Sequence, residues 1–427
     1  VTYGVHSFTF VDTKKSEFPI EFSVKVGFKF NKVEVLPERR GVKAVTQGDE
    51  VTFTVSDYGD YTLVFDEKHL NPFTLVVRAY EDLSFLGKEY NGYNVIEYKP
   101  GIHYVDNIDI EESNTILYLH SCALLVAKQP DLAGETPTLN PDWAGQVRWK
   151  SFLTASYVDN VKIMGHGAID FTNLNWHARS PVTVTGCKNF EMSGITLINA
   201  PEWNVTVQYS SNVNIHDMVI FGYRQNSDGI AICDTTSATV ENCFIRSGDD
   251  LFEVKSLSKS SETGGKDIVF RNCTAWADKC RGFGIIQETK NDIDGVLYEG
   301  CQMLFKMQDW SEELGSLVVV VGDGGTISNV TFRDMEVYYE KGYAVNVSLG
   351  PTDWSGGEQT GKIKNVTFEN IKLRQNKNVR IRAMESLPAS DLDGIIFKDV
   401  YFGGNKISSL SELNVKYIGN HGNISIS

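Results

Sequence analysis

Pairs of apolar residues two positions apart recur along this chain: Val161/Ile163, Phe190/Met192, Val213/Ile215, Ala238/Val240, Ile268/Phe270, Val296/Tyr298, Val330/Phe332, Val366/Phe368 and Ile395/Phe397. Their first members stand 23 to 36 residues apart, the spacing of stacked solenoid units. Alternation over so few residues, broken by Asn, Gly and Asp, predicts short strands and turns rather than helices. Five residues after each first member another small or apolar side chain recurs: Ile195, Met218, Cys243, Cys273, Cys301, Met335, Ile371 and Val400. Stacked coils would align these as an interior ladder. His166 takes that place in the first of these coils, which is therefore atypical or partly exposed. The pattern predicts an all-β chain built on a right-handed parallel β-helix.

Residues 1–95 lack the repeat. They carry short alternating runs instead, such as Val51–Val55, Tyr61–Phe65 and Phe73–Val77, with Gly-Asp turns. That pattern suits a small antiparallel β-sandwich. Pro100 and Gly101 punctuate the chain nearby, so the expected organisation is a sandwich over 1–95 and a β-helix over 96–427. No apolar run is long enough to span a bilayer. The sequence starts at Val1 without Met, and the expectation is a secreted or periplasmic protein whose leader has been removed.

Seven cysteines spread over 427 residues do not form a disulfide framework, and no Cys-x-x-Cys pair suggests a metal site. Cys243, Cys273 and Cys301 read as small hydrophobes of the interior ladder. A net charge of −15 argues against a nucleic-acid partner, which needs a basic face. It weighs little against an acidic polysaccharide, because charge at the cleft matters more than the total.

Asp228 is followed 21 and 22 residues later by Asp249 and Asp250, close to one coil of the repeat. If Ile230, Phe252 and Phe283 share one core column, then Asp228, Asp250 and Arg281 stack at one height on three successive coils. Parallel strands lie about 4.8 Å apart, so Asp228 and Asp250 could share one water, with Asp249 projecting differently and standing further off. Inverting glycosidases use this layout, with a protonated acid and a water-holding base about 6.5–9.5 Å apart. Crowding of like charges should keep one member protonated near neutrality. No metal or cofactor is needed for such chemistry.

The stretch Asn226–Gly229 and the stretch Gly248–Asp250 resemble the two acidic motifs of glycoside hydrolase family 28, the polygalacturonase family. Ala200–Trp203, followed by Asn212–Ile215, is also similar to that family's preceding coil. The resemblance spans roughly residues 100–400. It implies that Asp249 is the general acid and that Asp228 and Asp250 activate water. A β-sandwich ahead of the helix also resembles family 49, the dextranases and isopullulanases. Two departures stand out. The family's Gly-His-Gly is replaced by Arg281-Gly282-Phe283, leaving Arg281 to pair with an Asp. Its carboxylate-gripping Arg-x-Lys has no clear counterpart, with Arg281, Lys290 and Lys306 as loose candidates.

The function expected is hydrolysis of an α-linked polysaccharide, either a pectic backbone or an α-glucan. Asn226, Arg281, Lys255, Trp203, Lys306 and Trp310 are candidate substrate-binding residues. Trp354 is a third possible sugar platform, and His166 and His177 sit in a loop that could border the cleft. Each has a plain structural reading as packing or surface. A lyase or epimerase on the same fold, using a Lys or Arg base and Ca²⁺, is the alternative enzyme. A non-catalytic glycan-binding β-helix is the alternative outside enzymology.

Overall fold

The computed structural model describes residues 6–81, 83, 92–131, 138–139, 147–262, 264–353, 355 and 361–427. Trp354 and most of the 131–147 loop lie outside them. The chain divides into two compact units, Val1–Phe85 and Leu86–Ser427.

In the first unit a four-stranded sheet runs in the order Ser7–Thr13, Lys68–Ala79, Gly59–Phe65, Val33–Leu36, beside a three-stranded sheet of Ile20–Lys25, Glu50–Val55 and Val45–Gln47. Val51, Phe53, Leu63, Leu75 and Val77 form their common core. The unit is not purely antiparallel, because Ser7–Thr13 pairs in parallel with Lys68–Ala79. The expected boundary at residue 95 is also too late. Asn94–Tyr98 pairs in parallel with Thr115–Leu119 and so belongs to the first coil of the helix.

The second unit is a right-handed parallel β-helix, with an 11-stranded sheet and a 21-stranded sheet that bends around the coil corners. Val161 pairs with Phe190, Phe190 with Val213, and the column continues through Ala238, Ile268, Val296, Val330 and Val366 to Ile395. Two positions on, the interior column ends in a run of rings. Phe270, Tyr298, Phe332, Phe368 and Phe397 stack with centroids 4.8–5.1 Å apart and planes within 14°. The Ile195-to-Val400 ladder is buried throughout, with Cys243, Cys273 and Cys301 stacked in it as free thiols. His166 is only half-buried.

Left-handed residues bracket each apolar pair, whether the strand ends there or, as in Thr326–Glu340, continues through them. The residue before each first-column position (Asn160, Asn189, Asn212, Ser237, Asp267, Gly295, Asn329, Asn365, Gly394) has positive φ. So does the residue four after it (Gly165, Gly194, Asp217, Asn242, Asn272, Gly300, Asp334, Asn370, Asp399). The left-handed conformation costs an ordinary L-residue about 1–2 kcal/mol, and Asn, Asp and Gly tolerate it best. This is the physical content of the Asn, Asp and Gly punctuation. The side chains also ladder: Asn189 Nδ2 donates to Asn160 Oδ1 and Asn160 Nδ2 to Asn114 Oδ1, each at 2.8 Å.

Deleting one ring from the stack should leave a cavity that neighbouring coils cannot close. Phe332→Ala is therefore expected to cost about 3–5 kcal/mol. Asn329→Gly should change stability by only a few tenths of a kcal/mol, whereas Asn329→Val should cost about 1–2 kcal/mol through the left-handed backbone. Urea denaturation of the three variants checks the order.

Candidate active site

The 11-stranded sheet carries the site on strands Ile230–Cys233, Phe252–Ser256 and Phe283–Thr289. Ile230 pairs with Phe252 and Phe252 with Phe283, while Ile232, Val254 and Ile285 fill the next column. The ladder extends one step further: Gly229 N donates to Asp250 O at 2.7 Å and Leu251 N to Arg281 O at 3.2 Å. Asp228, Asp250 and Arg281 therefore sit at equivalent places on consecutive coils. Two glycines allow the approach. A Cβ on Gly229 would lie 2.2 Å from Leu251 O, and one on Gly248 would lie 2.2 Å from Arg224 O. Ser227 and Ser247 pin the two acidic turns together, hydroxyl to hydroxyl at 2.7 Å.

Oxygens of Asp228, Asp250 and Glu253 all lie within 4.8 Å of one another, and so do ligand atoms of Asp249, Asp250 and Cys280. Asp250 is held by Arg281, whose Nη1 reaches its two oxygens at 3.2 and 2.9 Å and whose backbone N donates at 2.9 Å. Arg281 also donates from Nε to Glu313 O at 3.2 Å, and a turned Gln287 amide would accept from its Nη1 at 2.8 Å. Burial opposes that guanidinium's charge, yet Asp250 and its other anionic neighbours raise its proton affinity further. Asp249, half-buried, accepts from Asn226 N at 2.9 Å and from Asp250 N at 3.1 Å.

Burial, then the charges of Asp249, Glu253 and Asp250, push the Asp228 carboxyl well above its usual range. Asp249 is raised by burial and by Asp250. Asp249 groups with Asp250 and Cys280, whereas Asp228 groups with Asp250 and Glu253. The Asp249 side chain reaches back to the preceding coil, where it accepts from Asn226 N. Asp228 Oδ1 is buried with no protein hydrogen-bond partner.

Glu253, missed in the sequence, is fully buried beneath this group. Its carboxyl is raised well above normal by burial, against the pull of Lys255. Lys255 Nζ lies 3.1 Å from Glu253 Oε2, an ion-pair distance without hydrogen-bond geometry, and donates to Glu288 Oε2 at 2.7 Å. The ammonium also sits 4.8 Å from the ring centre of Trp203. Lys255 and Trp203 are 3% and 6% exposed. They form a packed wall with Leu257, so Trp203 offers no open stacking face. The Lys255 ammonium is buried against two carboxylates and is not open to a ligand.

Trp310 does present its ring, 61% exposed, with Nε1 donating to Lys279 O at 3.0 Å. Trp176, 54% exposed, was not singled out in the sequence. Its Nε1 donates to Gln225 O at 2.9 Å, and it packs on His177, whose Nε2 lies 3.3 Å from Asn226 Oδ1. The run Asn175–His177 was the available signal. Lys306 is 1% exposed and donates to Gln308 O at 2.7 Å beside a cavity of about 400 Å³ lined by Asp309, Glu312, Tyr343, Asn378 and Asn414. Burial lowers its proton affinity and pushes the facing Glu340 up to about 8. Either acidic trio could meet a divalent cation with three ligand atoms, though Lys255 already stands against Glu253.

The family model described as "Glycosyl hydrolases family 28" matches residues 105–418. A "Probable polygalacturonase" of Vitis vinifera is 29% identical over 291 residues, 61% of this chain and 57% of that protein. The chain thus spans little more than half the length of the first curated relatives it matches, 57% and 52%. Among solved structures, an exopolygalacturonase from Thermotoga maritima superposes with a TM-score of 0.59 at 18% identity, over 79% of this chain and 84% of that one. Dex49A from Penicillium minioluteum superposes at 0.57 and 13% identity, over 90% of this chain and 76% of that one. At those identities the likeness is one of fold.

Removing Arg281 would leave Asp250 as a buried, unpaired charge. Arg281→Ala should cost about 3–5 kcal/mol in urea denaturation. Glu340 makes stability depend on pH. Its folded value of about 8 lies above an unfolded value of 4.5, so its contribution is full below pH 4.5 and declines as pH rises to about 8. Glu340→Gln should flatten that decline, read as the difference in unfolding midpoint between pH 5 and pH 8.

Proposed function

We propose that this chain, which belongs to glycosyl hydrolases family 28, cleaves an α-linked polysaccharide by inversion, with Asp249 as general acid and Asp228 and Asp250 as the water-activating pair. A pectin-degrading glycosidase is the coarse statement supported by the family. The observation that carries the finer reading is the crowd of three Asp on consecutive turns, one neutralised by Arg281 and two with raised proton affinity.

The roles follow from that asymmetry. Asp249 holds a proton and lies in the more open part of the group, so it can protonate the glycosidic oxygen as the C–O bond breaks. Asp250, paired with Arg281, and Asp228, with an unpartnered oxygen, orient a water against the opposite face of the anomeric carbon. The new C–O bond forms from that water, whose proton passes to the Asp228/Asp250 pair while the leaving oxygen keeps the proton of Asp249. The pair then gives up its proton to solvent and Asp249 takes one back, so that water is added across the bond and nothing else is consumed. Trp176 and Trp310 are the exposed rings on which sugars could stack.

The polymer is a pectic backbone or an α-glucan such as dextran or pullulan, the second option resting on the family 49-like fold. A polysaccharide lyase has less support. It needs a free cationic base and usually Ca²⁺, whereas Lys255 and Arg281 are both committed to carboxylates. A secreted or periplasmic location fits a polymeric substrate.

Asp249→Asn should lower kcat by about 10²–10⁴-fold while still binding its glycan. Equal function in wild type and variant would favour a binding module. NMR of the first product should show the anomer opposite to that of the cleaved bond; retention would overturn the water-activating assignment. Excess chelator should leave the rate unchanged.

A further inference from the structure

Among the described residues, the two cations ion-paired with members of the acidic group, Lys255 and Arg281, are each shared with a second carboxylate. Lys255 Nζ is claimed by Glu288 at 2.7 Å and Glu253 at 3.1 Å. Arg281 is claimed by Asp250 at 2.9 Å and Glu313 at 3.9 Å. One turn further out, Arg246 pairs with Asp278 from Nε and Nη2 at 2.9 and 3.1 Å. Lys306 is buried against Glu340 and donates to Gln308 O. The next strand outward, Leu317–Val321, presents Val318 and Val320, which pack on Ile286 and carry no charge.

Charge balance sharpens the point. Six carboxyls, those of Asp228, Asp249, Asp250, Glu253, Glu288 and Glu313, surround two cations, Lys255 and Arg281. Even with Asp228, Asp249 and Glu253 all protonated, three anions still face two cations. A further carboxylate entering here would bring a net repulsion and would find no uncommitted donor of positive charge among the described residues. Desolvating a charge without a partner is far costlier than placing a neutral hydroxymethyl or methyl group in the same space.

We propose that the sugar whose anomeric bond is broken in this site is neutral, a hexose or deoxyhexose rather than a uronate. The inference rests on the hydrolase reading above and narrows it. In a uronate the carboxylate is attached to the ring carbon beside the ring oxygen, so it would travel with the anomeric carbon into the acidic group. Uronates are acceptable on the leaving side or in more distant subsites, where these six carboxyls are not in contact. A backbone alternating neutral and uronic residues would be cut at only one of its two linkages. An all-uronate chain would be a poor substrate, and an α-glucan or carboxyl-reduced pectic chain a better one.

The newly formed reducing end reports the sugar that occupied this position. The wild-type chain is incubated with homogalacturonan, its carboxyl-reduced form, rhamnogalacturonan, dextran and pullulan. The new ends are then labelled by reduction and identified. The expected result is a neutral sugar at the new end in every productive case, with carboxyl-reduced homogalacturonan cut at least about ten-fold faster than the native acid. Galacturonate at the new end, or faster cleavage of the acid form, would overturn the inference while leaving the hydrolase reading intact. No new reducing end on any polymer would remove the hydrolase reading, and this inference with it. As a second arm, Glu288→Gln should release part of the hold on Lys255 and narrow the preference for the reduced polymer; a preference unchanged by that substitution would contradict the role given to the committed ammonium.

Discussion

In-register stacking of parallel coils is the constraint on which everything else here depends. Neighbouring strands lie about 4.8 Å apart, so a side chain at one position stands directly over its counterpart on the next coil. For apolar residues this is favourable, and the rings from Phe270 to Phe397 stack almost parallel. For carboxylates it is not, because like charges at that spacing cannot all ionise in a poorly solvated place. The same geometry that makes a continuous core makes a row of Asp at the edge of the 11-stranded sheet chemically unusual.

The molecule answers that repulsion with a division of states. Asp250 receives a guanidinium and a backbone N–H from Arg281. Asp228, Asp249 and Glu253 are raised first by burial and then by their carboxylate neighbours, Asp250 among them in each case. Lys255 reduces the charge beneath without reaching the cleft. A group divided into one fixed anion and several proton holders is what acid- and base-assisted cleavage of a glycosidic bond requires. The cations that make this division possible are consumed by it, which sets a limit on the charge of the sugar that can enter.

Much of this was legible in the residues. The apolar pairs from Val161/Ile163 onward gave the columns and their register, because each coil there is uninterrupted. The earlier coils were hidden: Thr115 and Val161 are paired neighbours yet 46 residues apart, and that interval masks the period. For this reason the expected boundary at residue 95 cuts through the strand Asn94–Tyr98. Register also placed Asp228, Asp250 and Arg281 at one height. It could not place Asp249, whose direction depends on two backbone N–H bonds, nor Glu253. A Glu in the middle of a strand reads as a solvent-facing position, and its burial depends on Trp203 and Lys255 folding over it. Trp203 and Trp310 look alike in the sequence, and only packing separates the covered ring from the open one.

The most direct test of the central claim is to follow reducing ends and unsaturated-uronide absorbance together during digestion of pectic polymers and α-glucans by the wild-type chain. The account predicts new reducing ends with no unsaturation. Unsaturated product would contradict it, because elimination would then be the reaction that the acidic group and its two committed cations perform.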